Sequence, residues 1–213
     1  MKRSKMLGMG KGFTIVELLI ATTVFSVILL IVTTGIIKIG NTYYHNITTT
    51  RTQTVVRSIA NDLVSTVQFT SFTPSPSNSA VIDGFNYFCI DKTRYKYKIG
   101  SQYKKGSETT SGMFTETLVS GASCDTVVAG DATNQRQLLG NNMRLANLDI
   151  TSKGSLVTIN VKVVYGDNDL LTTFNTDGSP SGVAWPDVQC KSGISGGSFC
   201  AVGSFETTVK KLL

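Results

Sequence analysis

One histidine and four scattered cysteines leave this chain of 213 residues little material for a catalytic metal centre or a His-based triad. The cysteines lie far apart, and no C-x2–4-C spacing exists to hold zinc. No nucleophile–base pair and no Gly-rich phosphate loop can be read from the chain, so an enzyme has no residues behind it and no cofactor is implied. Charge is scarce as well: 16 % of residues are charged, against about 25 % in an average soluble protein. Together with 41 % hydrophobic residues this excludes a disordered chain. Acids are missing from the first twelve positions, where Lys2, Arg3, Lys5 and Lys11 lie. Beyond them the other basic residues nearly balance the 14 acidic ones, so the net charge of +6 is mostly a leader and not a global polyanion-binding field.

After the leader comes an uncharged run, Leu18 to Ile37, rich in Leu, Ile, Val, Ala, Phe and Thr. Twenty such residues at about 1.5 Å rise cover about 30 Å, the hydrocarbon thickness of a bilayer. The basic, acid-free flank before it predicts a cytoplasmic N-terminus with the C-terminal bulk outside; Lys38, Arg51 and Arg57 weaken that bias without reversing it. A cleaved secretory signal fits less well, because its apolar region is about 7–15 residues and a small-residue cleavage site comes after it. A plain signal anchor accounts for everything except Glu17. That acid stands at the mouth of the run, where an ionised carboxylate is costly unless it serves the helix start or a function.

Taken together, the basic leader, Lys11-Gly12, Phe13, Thr14, and Glu17 opening an apolar helix resemble the prepilin leader of type IV pilins and type II secretion pseudopilins. The resemblance implies a cut by prepilin peptidase between Gly12 and Phe13, and N-methylation of Phe13. It also implies a role for Glu17 in assembly, opposite the N-terminal amine of a neighbouring subunit. A carboxylate leaving water is compensated by an opposite charge within about 4–6 Å, and only cleavage creates that amine at helix depth. One departure is the missing proline inside the apolar run; Thr33-Thr34-Gly35 occupies that region and the first proline is Pro74. The strong part of the resemblance covers about forty residues.

Past Gly40 the pattern becomes amphipathic, with Ile47, Val55, Ile59, Leu63 and Val67 at multiples of four, and it stops at Thr73-Pro74-Ser75-Pro76-Ser77. Residues 13–72 are therefore expected as one helix, transmembrane in its first half and one-sided in its second. From about Ala80 to the end a β-rich domain is expected, with strands at Phe85–Ile90, Arg94–Ile99, Met113–Val119, Met143–Thr151, Ser155–Tyr165, Leu170–Phe174 and Phe205–Lys211. Residues 106–112 and 120–136, rich in Ser, Thr and Gly, read as loops. The class is α+β: a long N-terminal helix on a C-terminal antiparallel sheet, which is also the pilin architecture that the resemblance implies.

Cys89, Cys124, Cys190 and Cys200 all fall in the part expected outside the cytoplasm, where an even count points to disulfides. Of the three connectivities, neighbour pairing (Cys89–Cys124 and Cys190–Cys200) lets each half close its own loop; four free thiols are the competing reading. Lys92, Arg94, Lys96 and Lys98 recur at period two and would share one face of a strand. That face is either a stripe for DNA or anionic surface polymers, or a solvated face whose lysines guard an edge strand. Asp167-Asn168-Asp169 fits a turn better than a calcium site. His45 lies just after Tyr43-Tyr44 past the apolar run, where aromatics mark a membrane interface.

The expectation is a structural subunit of a type IV pilus or related pseudopilus, held in the cytoplasmic membrane before assembly and at the cell surface after it. Its partners would be prepilin peptidase, other pilin or pseudopilin subunits along the helix, and membrane lipid before assembly. About 200 mature residues exceed many major pilins and tilt the expectation toward a minor subunit. The alternative is a single-pass surface adhesin or DNA receptor that never polymerises.

Overall fold

The computed structural model describes residues 12–70, 77–82, 84–106, 111–119, 124, 132–175, 177–193 and 196–212. The basic leader and most of the proline-marked stop lie outside them. The described residues fall into two units, one ending at Tyr43 and the other running from Tyr44 to Leu213.

Helix α1 covers Ile15–Gln68. Within the first unit its apolar side chains stand exposed all round, and the helix is long and apolar enough to cross a membrane. Hydroxyls that would otherwise need water are satisfied along the helix itself. Thr22 and Thr23 donate to the carbonyls of Leu19 and Ile20 at 3.0 and 2.8 Å. Ser26 and Thr33 donate to the carbonyls of Thr22 and Leu29 at 2.7 Å each. A polar group bonded inside its own helix can enter hydrocarbon without leaving a donor orphaned.

In the second unit the helix becomes one-sided, and its buried face follows the four-residue row at Ile59, Leu63 and Val67 but departs from it upstream. Thr48, Thr52, Val56, Ile59, Ala60, Leu63 and Val67 are buried, while Ile47 is exposed and Val55 only half-buried. An i+4 row drifts around a helix of 3.6 residues per turn. At roughly 100° per residue, Ile47 lies about 200° from Val67, whereas Val56 lies about 20° from it. The stripe holds near Val67 and rotates away upstream, where threonines take over the buried face.

Two antiparallel sheets receive that face. The first is a meander in the order β1 (Ser77–Ile82), β2 (Phe85–Ile90), β3 (Thr93–Tyr97), β4 (Met113–Leu118), β5 (Ala132–Gln137). The second runs β6 (Met143–Lys153), β7 (Leu156–Tyr165), β8 (Ala201–Lys210). A single parallel bridge between Ile99 and Leu145 links the strand ends. The main core joins Val56, Ile59, Leu63 and Val67 to Tyr95 and Tyr97 from the first sheet, and to Val157, Ile159, Val161 and Val163 from the second. At the helix end the backbone N–H of Leu212 donates to the Gln68 carbonyl at 3.0 Å, satisfying one acceptor that a helix terminus leaves open.

Three expectations are corrected. Residues 120–136, read as loop, contain the start of β5. The sheet begins at Ser77, ahead of Ala80. Leu170–Phe174 is not a strand: a 3-10 turn at Asn168–Leu170 leads into isolated bridges from Leu171 to Cys190 and from Phe174 to Pro180. A buried cation organises that irregular segment. The Arg144 guanidinium lies 5.7 Å from the Phe174 ring and 6.0 Å from Trp185, and it donates to the Gly166 carbonyl at 3.3 Å. Desolvation lowers its affinity for the proton, and Asp167 counters this. Asp167 accepts a bond from Gln102 at 3.0 Å and precedes the 3-10 turn, as the turn reading of Asp167-Asn168-Asp169 requires.

Candidate functional site

Gly12, Phe13 and Thr14 lie ahead of the helix in non-helical, exposed backbone. Phe13 is 88 % exposed. A Cβ built on Gly12 would meet nothing within 4 Å among the described residues. Helix α1 opens at Ile15 with a reciprocal set of bonds. The Thr14 N–H and hydroxyl both donate to Glu17 Oε2 at 2.9 Å, and the Glu17 N–H donates to Thr14 Oγ1 at 3.2 Å. This is a capping box, which satisfies two of the backbone donors that a helix start leaves open. The Thr14-x-x-Glu17 spacing carries the signal for it; weighing Glu17 by its charge alone misses the threonine.

The box has a chemical consequence. Both of its members lie on the helix side of the Gly12–Phe13 peptide bond, so cutting that bond would leave the cap whole. The new amine at Phe13 would stand one residue from the N–H that the carboxylate already holds. Hydrogen bonds from Thr14 also lessen the cost of carrying a carboxylate at the edge of an apolar helix.

The period-two cations do not form one open face. Lys92 and Lys98 are exposed, but Arg94 and Lys96 are buried, at 1 % and 7 % exposure. Strand β3 is central in its five-stranded sheet, so it needs no lysines to guard an edge, and the stripe for DNA or anionic polymers is interrupted at its middle. Glu116 faces Arg94 across β4 and takes both cations, with Arg94 Nη1 at 3.6 Å and Lys96 Nζ at 3.5 Å. Lys96 also lies 5.5 Å from the centre of the Phe114 ring. Cys89 pairs with Arg94 in register on the other side, and it is bonded to Cys124. Cys190 is bonded to Cys200, so no described cysteine is free.

A polar cleft of about 330 Å³ lies between helix and first sheet. In it Asp62 accepts from Tyr95 at 3.1 Å and pairs with Arg136 at 2.7 Å. Burial pushes the Tyr95 phenol up to about 12. These groups hold helix to sheet; they do not assemble a nucleophile with a base. No group of three or more His, Cys, Asp or Glu side chains gathers among the described residues to hold a metal ion.

Fold and site together define an α+β protein with one membrane-length N-terminal helix and a disulfide-linked β unit. The chain matches no protein-family model, no curated protein and no solved structure.

Proposed function

We propose that this chain is a structural subunit of the type IV pilus and secretion pseudopilus class, and that it works by helix packing, without catalysis. Prepilin peptidase cuts Gly12 from Phe13 and methylates the new amine. The apolar half of α1 is first stored in the bilayer and then packs among the helices of other subunits, with the β unit facing outward. The observation that carries this reading is the exposed, non-helical Gly12-Phe13-Thr14 segment directly ahead of a helix that Glu17 caps. A protease needs extended, accessible chain, and the acid is already turned toward the terminus that cleavage would create.

The β unit's size favours a minor subunit over a major one. A membrane-anchored surface binder that does not polymerise is the competing reading, and the burial of Arg94 and Lys96 removes the polyanion stripe that would serve it. The deciding measurement is N-terminal peptide mass spectrometry of membrane-extracted protein from cells with an active prepilin peptidase. The expected terminus is Phe13 carrying one methyl group. Protein that keeps residues 1–12 under those conditions overturns the reading.

A further inference from the structure

We propose that the cleft between α1 and the first sheet binds a neutral sugar ring, held by hydrogen bonds alone. The proposal stands apart from filament assembly and from the membrane span, since every residue it uses lies in the second unit.

The cleft is built by a bulge. Where β5 runs beside β4, Thr115 pairs with Arg136 and Thr117 with Thr133, so two residues of β5, Asn134 and Gln135, stand opposite Glu116 alone. The extra residue reverses the alternation of side chains beyond it. Without it Gln135 would pair with Thr115, and Arg136 would point to the other face. With it Arg136 reaches the helix and pairs with Asp62 at 2.7 Å. Asn134 takes the turn at φ 56°, left-handed backbone that few residues other than glycine adopt. Glycine would serve a bulge there as well or better. Asparagine adds an amide to the lining of the cleft.

The lining sorts into spent and unspent groups. The Asp62 carboxylate is spent: one oxygen takes Arg136, and the other takes the Tyr95 hydroxyl at 3.1 Å. That hydroxyl also lies 3.3 Å from Thr66 Oγ1, and Thr66 donates to the Asp62 carbonyl at 2.7 Å. The hydroxyls of Thr93, Thr115 and Thr117 and the Asn134 amide are unspent; none has a hydrogen-bond partner among the described residues. Thr115 is the decisive one. It is only 6 % exposed, yet its hydroxyl is left unbonded in the wall of a cleft of about 330 Å³. A hydroxyl so deep costs stability where a valine of the same shape would cost none.

Charge and chemistry fix the class of ligand. Asp62 and Arg136 cancel, so the cleft offers neither an anion nor a cation a net attraction. An apolar ligand would bury the free hydroxyls unbonded. Threonine hydroxyls both donate and accept, and an amide presents a donor beside an acceptor, which matches the adjacent hydroxyls of a sugar ring. Tyr95 is 1 % exposed and its ring stacks on Phe88, so no aromatic face adds to the bonds. The volume is at the small end of ligand sites, about 300–1,000 Å³, which suits one chain-end sugar and not a long glycan.

The test titrates the full chain, in a detergent without sugar headgroups, with the methyl glycosides of glucose, galactose and mannose, read by ligand-detected saturation-transfer NMR. At least one should bind, and glucuronate should bind no better. Thr115→Val should weaken binding of that glycoside about fivefold and leave the melting temperature at or above the parent's, since the hydroxyl has no partner to lose. Asn134→Gly should weaken it by a similar factor with the fold kept, because glycine accepts the same backbone. Failure of every glycoside to bind overturns the site. Equal binding in the parent and both variants puts the sugar elsewhere and overturns the cleft. A melting temperature lowered by Thr115→Val makes that hydroxyl structural and overturns its role in binding. Tighter binding of glucuronate, or of a capped dipeptide, overturns the neutral-sugar class.

Discussion

Replacing Glu17 by Gln separates two roles that the geometry superimposes on one side chain. Glu17 closes a capping box with Thr14, and in the proposed filament it also faces the Phe13 amine of a neighbouring subunit. A Gln at this position can still accept from the Thr14 N–H, because capping boxes accept Glu or Gln; the loss at the cap is only the solvent-screened dipole interaction. Among packed helices the same change leaves an ammonium without its counter-charge, which costs about 3–5 kcal/mol in a desolvated site. That is a fall in incorporation of roughly a hundredfold or more at equilibrium. Thr14→Ala does the reverse: it removes the hydroxyl from the box, at about 1 kcal/mol, and leaves the charge. Membrane insertion should be unharmed in both variants and slightly better in Glu17→Gln, since an amide enters the apolar layer at lower cost than a carboxylate. The assay compares the membrane fraction with the sheared filament fraction for parent, Glu17→Gln, Glu17→Val and Thr14→Ala, after mass spectrometry has established that each is cut at Phe13. Thr14→Ala should stay near the parent, with Gln and Val far below it and close to each other. If Glu17→Gln incorporates like the parent while Glu17→Val does not, the acid is only a helix cap and the proposed pairing with the amine is wrong.

The β unit supplies three further expected outcomes. A Cβ on Gly203 would come within 3.1 Å of the Thr52 and Val56 methyls, so Gly203→Val should lower the melting temperature through about 1–3 kcal/mol of overpacking, and Thr52→Ala should recover part of it; additive effects would mean that the helix does not press on β8 there. Burial pushes both Tyr95 and Tyr97 up to about 12, so their contribution is complete below about pH 10 and is lost between 10 and 12, where the unfolded chain ionises first, on the order of 2 kcal/mol each. The Tyr97 hydroxyl is buried without a partner among the described residues, so Tyr97→Phe should be neutral or stabilising at neutral pH and should flatten the alkaline loss in pH-dependent unfolding; destabilisation would refute the assignment. Replacing Cys190 and Cys200 together by Ser should remove about 2–3 kcal/mol and speed tryptic cleavage at Lys191 while amide exchange of the helix residues Ile59 to Val67 stays slow; equal loosening of both would refute a local clip.

An element is legible in the sequence when its signal is local. The apolar run, β2, β4, β6 and β7 are legible because their side chains alternate or persist against one continuous core. Strands β1 and β5 are not. They are the outer strands of their sheet, with sequences SNSAVI and ATNQRQ, and neither shows the alternation of apolar and polar residues that would announce it. The early part of β8 hides for a different reason. Gly203 reads as a break, yet it is the residue that lets α1 come close, and that need is set by Thr52 and Val56, far away in the chain. The buried helix face misleads near Ile47 because a four-residue spacing and a 3.6-residue turn agree over two turns and diverge over five.

The cation pattern on β3 shows where sequence periodicity stops carrying functional meaning. Alternation establishes that Lys92, Arg94, Lys96 and Lys98 share a side of the strand; it does not establish that the side is wet. Wetness depends on where the strand sits in its sheet and on what faces it. Here β3 is central, and Glu116 on β4 lies opposite Arg94 and within reach of Lys96. One carboxylate shared by two cations, with the Phe114 ring against Lys96, makes a buried polar cluster that fixes the register of β3 on β4. Only Lys92 and Lys98 stay in solvent, at either end of the strand. At period two along a strand they lie roughly 20 Å apart, too far to act as one site. A run of charge that resembles a binding stripe is thus spent on holding two strands together.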